Sequence, residues 1–141
     1  MTPEKFSDQW VKNLVDSLDA HLDEATRRRV MESCGRACAR RGAIRAAETC
    51  AGDLDQWVAT LKTWIGPENV LREGNVVRVT YPQCFCELVA EGPARLPDTY
   101  CYCSCGWLKE TFEAVTQQPV EVTLFESVKR GGQACRFAVK V

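Results

Sequence analysis

Near residue 66 the spacing of apolar residues changes, and that change limits the fold more than any single residue does. Before it the period is helical. Trp10, Val11, Leu14, Val15, Leu18 and Leu22 recur at intervals of three and four, with Asp8, Lys12, Asp16 and Asp19 between them, which predicts an amphipathic helix with the apolar set turned inward. A second helix is expected from near Asp23 to Gly42, with Glu24 in the first turn, where the helix dipole favours negative charge. A third follows Asp53 as its N-cap, carries Leu54, Trp57, Val58, Leu61, Trp64 and Ile65, and stops at Gly66-Pro67.

Beyond the turn signal Glu73-Gly74-Asn75 the period is two. Val77, Val79 and Tyr81 alternate with Val76, Arg78 and Thr80, the pattern of a strand. Cys84 to Leu88 is expected to continue extended past Pro82, which then marks an edge or a bulge. Residues 91–99 form a loop in this reading. A short helix near 106–116 turns Trp107, Leu108, Phe112 and Val115 inward, and the YCYCSC stretch before it stays extended. Val120 to Val128 and Ala134 to Val141 make a hairpin around Lys129-Arg130-Gly131-Gly132. Helices in 1–66 followed by antiparallel strands with one embedded helix in 74–141 define an α+β fold. No repeat or low-complexity linker divides the chain, so a single domain over 1–141 is expected.

Charge removes some function classes. Seven arginines fall between Arg27 and Arg45, but the formal net charge is -1 and the arginines point all round the helix. They read as a solvated face partnered by Glu24, Glu32 and Glu48 rather than as a nucleic-acid surface. No stretch reaches the roughly 18 apolar residues of a membrane span. The N-terminal MTPEKFSDQW lacks the apolar core of a secretory signal, so a cytoplasmic location is expected.

In that setting nine cysteines call for explanation. A reducing compartment and an odd count disfavour a disulfide framework, leaving buried thiols, metal thiolates or reactive thiols. The groups are Cys34 with Cys38, Cys84 with Cys86, Cys101 with Cys103 and Cys105, and Cys135 near the end, with Cys50 apart. Cys34 and Cys38 are one helical turn apart, at a spacing that suits two ligands of one metal; at about 100° per residue they share a side with Val30, Met31, Arg27, Arg41 and Arg45. That side is expected to face the protein, with nearby arginines favouring thiolate over thiol. Small thiols beside Gly35 and Ala37 could equally serve close helix packing. On a straight strand Cys-x-Cys separates like-facing residues by about 6.6 Å, whereas two sulfurs on one zinc stand no more than about 4.6 Å apart, so a chelating pair there must bend. No Cys-x-x-Cys occurs, which disfavours zinc ribbons, thioredoxin-type redox sites and the common iron-sulfur spacings; zinc of another kind is the expected cofactor ahead of an iron-sulfur cluster. His21, the only histidine, sits between Leu18 and Leu22 and reads as a surface or core-edge residue rather than a ligand.

The C-terminal third, CSCGWLKETFEAVTQQPVEVTLFESVKRGGQACRFAVKV, resembles the end of the 4-vinyl-reductase-like small-molecule-binding domains. The resemblance rests on Cys101 to Trp107, Pro119-Val120 and Gly131 to Phe137. It implies a ligand between helices and an antiparallel sheet, and a zinc held by cysteines near the Gly-aromatic helix and in the last hairpin. Cys135 matches the latter, and one of Cys101, Cys103 or Cys105 the former. Where that family has a cysteine in the penultimate strand this chain has Glu126-Ser127-Val128, so Cys84, Cys86 or the helical pair would have to replace it.

Two functions are therefore expected as alternatives. The first is a sensor-like small-molecule-binding domain, a homodimer by the general prevalence of symmetric pairs. Its metal-thiolate site would draw on Cys34, Cys38, Cys86, Cys101, Cys103 and Cys135, and its ligand contacts on Arg41, Arg45, Trp57, Phe85, Tyr102 and Trp107. Trp64 and Tyr100 are further candidates for its apolar wall. The second is a cysteine-dependent hydrolase or reductase in which Cys34 or Cys38, activated by Arg41 or Arg45, attacks the substrate.

Overall fold

A computed structural model describes residues 5–86, 88, 89 and 95–141. Its elements run α1 (Phe6–His21), α2 (Glu24–Arg40), α3 (Ala43–Thr49), α4 (Leu54–Ile65), β1 (Val70–Glu73), β2 (Val76–Tyr81), α5 (Tyr102–Thr116), β3 (Glu121–Glu126) and β4 (Cys135–Lys140). The strands form one antiparallel sheet in the order β1-β2-β4-β3. The fold is α+β, with the helical segment leading. No helix among the described residues is long and apolar enough to cross a membrane.

Local chemistry places the helix starts. Asp23 accepts a hydrogen bond from the Thr26 backbone N–H, and Asp53 accepts one from that of Gln56, so each fills an orphan donor at the head of α2 or α4. Gly66, at φ 103°, ends α4 in a conformation that disfavours any side chain. In the sheet, Val77 opposes Val139 and Val79 opposes Phe137, while Val122 of β3 opposes Val139 from the other side. These residues bury one face of the sheet against Trp57 and Leu61 of α4 and Leu108, Phe112 and Val115 of α5. A second apolar cluster joins Val11 and Val15 of α1 to Met31 of α2 and to Val89, Leu96, Tyr100 and Cys101.

Two elements escape the periodic reading. α3 spans less than two and a half turns by the usual helical rise, too short to display a repeating stripe. β1 buries only Val70, so it shows no alternation.

The cysteine-rich stretch is the main correction. Asp98–Cys101 is a 3-10 turn that runs directly into α5, so Cys101, Cys103 and Cys105 lie on helical backbone and not on an extended strand. The helix begins four residues before Gly106. Its buried positions Cys101, Cys105, Leu108, Phe112 and Val115 follow intervals of four and three, and these decide the conformation. The segment after Tyr81 is likewise not strand: residues 82–86 are irregular, and the remainder of the expected extension reaches Glu87, outside the described residues. Of the 91–99 loop, 91–94 also lie outside them.

α2 and α5 cross at a pair of reciprocal glycines. A Cβ on Gly35 would stand 1.7 Å from the Cys103 carbonyl oxygen, and one on Gly106 would stand 1.9 Å from that of Glu32. This rotates α2 away from the expected orientation. Its buried line is Met31, Gly35 and Ala39, which leaves Cys34 and Cys38 exposed. α1 is turned as well: Val11 and Val15 are buried, whereas Trp10 (55 % exposed) and Leu14 (44 %) join Phe6 on an open apolar stripe.

Candidate functional site

The strongest concentration of thiol chemistry lies where α5 begins, beside the turn that leads into β4. Cys101 and Cys135 are both buried there. The backbone N–H of Arg130 donates to Ser127 Oγ (3.2 Å), so the hydroxyl proton is free to point elsewhere, and Ser127 Oγ donates it to Cys101 Sγ at 3.0 Å. The adjacent Val128 N–H donates to Cys135 Sγ at 3.4 Å. One turn thus supplies a donor to each of two sulfurs that come from different elements.

Cys84 belongs to the same neighbourhood. Its negative charge would raise the ionisation points of both Cys101 and Cys135. Cys86 stands on the α1 side, with its sulfur 3.0 Å from the Tyr100 hydroxyl. Cys103 is half-buried and feels Cys86, then Cys38, Cys34 and Cys101. Cys84, Cys101 and Cys135 are therefore electrostatic neighbours, Cys103 neighbours Cys86, Cys38, Cys34 and Cys101, and Cys34 and Cys38 themselves are exposed on α2.

Burial dominates their acidity. It pushes the Cys101 thiol up to about 11 against the pull of the Ser127 hydrogen bond. Cys103 is pushed up to about 12 by burial and then by the neighbouring cysteines. Cys105, fully buried in the core, is pushed up to about 11 by burial although Arg28 pulls it down. Burial also raises Cys135, opposed by the Val128 N–H. These thiols hold their protons at neutral pH, and the phenol of Tyr100 is shifted in the same direction by burial and by Cys86. Among the described residues, no three cysteine, histidine or acidic side chains are gathered closely enough to form a finished metal shell. A metal drawing on these sulfurs would have to pull them together and displace their protons.

The remaining expected residues separate. Trp57 is fully buried, edge-on to Trp64 and Phe112, and is core rather than a ligand wall. Trp64 itself is 48 % exposed, since it lies on the rim of α4. Arg41 and Arg45 are exposed because α2 ends at Arg40 and the chain turns outward into α3. Phe85 packs its edge on Tyr81 and is otherwise open to solvent. Trp107 is half-buried at the α2–α5 crossing. Tyr102 is half-buried beside the thiols, with the guanidinium carbon of Arg28 4.9 Å from its ring centre and that of Arg130 5.0 Å from it. Arg130 also donates twice to the Asp98 carbonyl, which ties the β4 turn to the 3-10 turn.

Other arginines of α2 are committed to α5. Arg36 pairs with Glu110 (3.1 Å) and Glu113 (2.8 Å), Arg40 pairs with Glu110 (3.0 Å), and Arg28 shares Glu32 with Lys109. Ser127, Arg130 and Arg28 were not expected at the site. The sequence signal available here was the stretch Glu126-Ser127-Val128, singled out above for lacking a cysteine.

The arrangement defines a cysteine-rich α+β domain with a thiol-lined junction between its helices and its sheet. The chain belongs to a family of unknown function, DUF6144, whose profile matches residues 2–141. None of the curated proteins matches it.

Proposed function

We propose that this is a small-molecule-binding domain whose working site is the thiol cluster of Cys84, Cys101 and Cys135, with Cys86 and Cys103 flanking it, and that the site takes a soft metal ion, zinc foremost. The carrying observation is the Ser127–Val128 turn, which donates one hydrogen bond to Cys101 Sγ and another to Cys135 Sγ. Both sulfurs are held as acceptors, the state they keep when a metal replaces their protons. Burial keeps the metal-free thiols protonated, so nucleophilic attack at neutral pH is disfavoured and a metal binds only by displacing those protons.

The cysteine-dependent enzyme is the weaker reading. Cys34 and Cys38 are exposed on α2, and Arg41 and Arg45, the expected activators, are exposed beyond its end. A homodimer belongs to the same proposal, with Phe6, Trp10 and Leu14 as the apolar stripe that such a pairing would cover.

Anaerobic purification of the untagged chain followed by metal analysis tests the main reading. Stoichiometric zinc, lost in Cys101→Ser and Cys135→Ser and released together with protons on acidification, is the expected result. A metal-free protein that refuses added zinc, with one thiol alkylated by iodoacetamide far faster than the rest, would overturn it in favour of the enzyme.

A further inference from the structure

Arg130 acts on the Ser127–Cys101 contact from both ends. Its backbone N–H donates to Ser127 Oγ (3.2 Å), which leaves the hydroxyl proton to go to Cys101 Sγ. Its side chain grips the element that carries that sulfur. Nε and Nη2 donate to the Asp98 carbonyl oxygen at 3.0 and 2.8 Å, and the guanidinium carbon lies 5.0 Å from the centre of the Tyr102 ring. Asp98 and Tyr102 stand before and after Cys101, so one side chain holds the chain on either side of the thiol.

The turn that Arg130 belongs to is closed on itself. Val128–Arg130 is a single 3-10 turn, in which the Gly131 N–H donates to the Val128 carbonyl (3.0 Å) and the Gly132 N–H to that of Ser127 (2.8 Å). These bonds are internal, so the turn moves as one piece. Its attachments to the Cys101 side are of another kind: the Arg130 fork, the Ser127 hydroxyl, and the Leu96 N–H donating to the Lys129 carbonyl at 2.8 Å. The fork requires arginine. A planar guanidinium can place two donors on one carbonyl while its face lies on an aromatic ring, whereas the lysine ammonium is a compact point charge that cannot do both.

We propose that Arg130 is the positioning residue of the thiol cluster, a latch that seats the Ser127–Val128 turn on the sulfurs of Cys101 and Cys135 and whose release uncovers both. The two sulfurs are buried, and the turn donates to each of them, so lifting it opens them together. Opening of this local kind exposes the sulfurs without unfolding the core. The inference rests on the thiol cluster as the working site, but it is read without a metal.

The full-length reduced chain, freed of metal, is treated with N-ethylmaleimide, and modification of each cysteine is followed by peptide mass spectrometry. In Arg130→Gln and Arg130→Lys the labelling rates of Cys101 and Cys135 are expected to rise about tenfold or more, as the loss of hydrogen bonds from a charged donor implies. Cys105, fully buried in the core, is expected to keep its wild-type rate. Arg72→Gln, which breaks only an ion pair with Asp55, leaves all three rates unchanged. A rise that Cys105 shares equally means general loosening and overturns the proposal. Wild-type rates for Cys101 and Cys135 in Arg130→Gln overturn it too, and wild-type rates in Arg130→Lys do so because charge alone would then suffice. Metal analysis of the wild type reads the cluster separately: zinc without the selective rise refutes the latch alone, and the selective rise without zinc refutes the metal alone.

Discussion

Gly35 of α2 lies so close to Cys103 of α5 that a Cβ on the glycine would stand 1.7 Å from the cysteine's carbonyl oxygen. Gly106 repeats the relation from the other side, 1.9 Å from the Glu32 carbonyl oxygen. The obstructing atoms are backbone and cannot turn aside as a flexible side chain would. Alanine at either position gains about 1 kcal/mol of intrinsic helix propensity. Overpacking of this severity costs about 3 kcal/mol or more, so the clash decides the sign. Gly35→Ala and Gly106→Ala are each expected to lower the urea midpoint by an amount equivalent to about 2 kcal/mol or more, with the slope unchanged. Gly42→Ala, where nothing lies within 4 Å of the added Cβ, is the control and stays close to wild type.

How much of this was legible in the sequence varies with the kind of signal. Asp53 and Asp23 announce their helices because capping is local chemistry, satisfied within three residues. The alternation of Val77 and Val79 likewise survives because one sheet face is buried and the other is not. YCYCSCGW misleads because two periods coexist in it: cysteines every second residue suggest a strand, while Cys101, Cys105, Leu108, Phe112 and Val115 carry a helical repeat of four and three. The longer repeat buries more surface and prevails. The rotation of α2 was not legible, since it is set by Gly35 meeting a carbonyl on an element far along the chain. No periodicity within α2 encodes that partner. The site shares this limit: Cys101 and Cys135 are plain in the sequence, but their common donor turn at Ser127–Val128 exists only after the hairpin has folded.

Alkaline pH should weaken the metal-free protein. Cys101, Cys103 and Cys105 titrate near 11, 12 and 11 when folded, above the ordinary thiol value of about 9 because burial disfavours the charged form. A raised folded value means that the native state binds more protons than the unfolded chain between these limits, so stability falls as pH rises. The contribution is complete below about pH 8.5 and is lost progressively above it. The urea midpoint under reducing conditions is expected to fall from pH 8 to pH 10.5. Replacing Cys105 with alanine flattens that dependence while lowering the midpoint at pH 8, because it opens space in the core.

On the acid side the α2–α5 carboxylates control the response. Burial alone would raise Glu32 and Glu110, but hydrogen bonds from Lys109 and Arg28 to the first, and from Arg40 and Arg36 to the second, hold both below the usual range. A depressed folded value gives stability that is present above the unfolded pKa, about 4.3, and is lost as pH falls through the folded value. The urea midpoint is therefore expected to drop between pH 6 and pH 3. Glu110→Gln should cost about 1–2 kcal/mol at pH 7 and make that acid dependence shallower. A variant whose midpoint falls with pH as steeply as that of the wild type would contradict the assignment.

Ser127 links stability to the chemistry of the cluster. Its hydroxyl accepts from the Arg130 N–H and donates to Cys101 Sγ, so alanine there removes a buried donor from the sulfur and one of the two acceptors of the Arg130 N–H, which also bonds the Ser127 carbonyl. The loss of stability is expected to be about 1–3 kcal/mol. A second readout separates this role from packing: the hydrogen bond lowers the Cys101 ionisation point, so in Ser127→Ala that thiol should titrate above its present value of about 11. Following the ultraviolet thiolate absorption as the difference between otherwise identical proteins with Cys101 and with Cys101→Ser reads that shift free of Cys105, which titrates in the same range. Ser127→Thr, which keeps a hydroxyl, should restore the titration even where its extra methyl lowers stability. An unshifted Cys101 titration in Ser127→Ala would mean that the hydroxyl does not serve the sulfur.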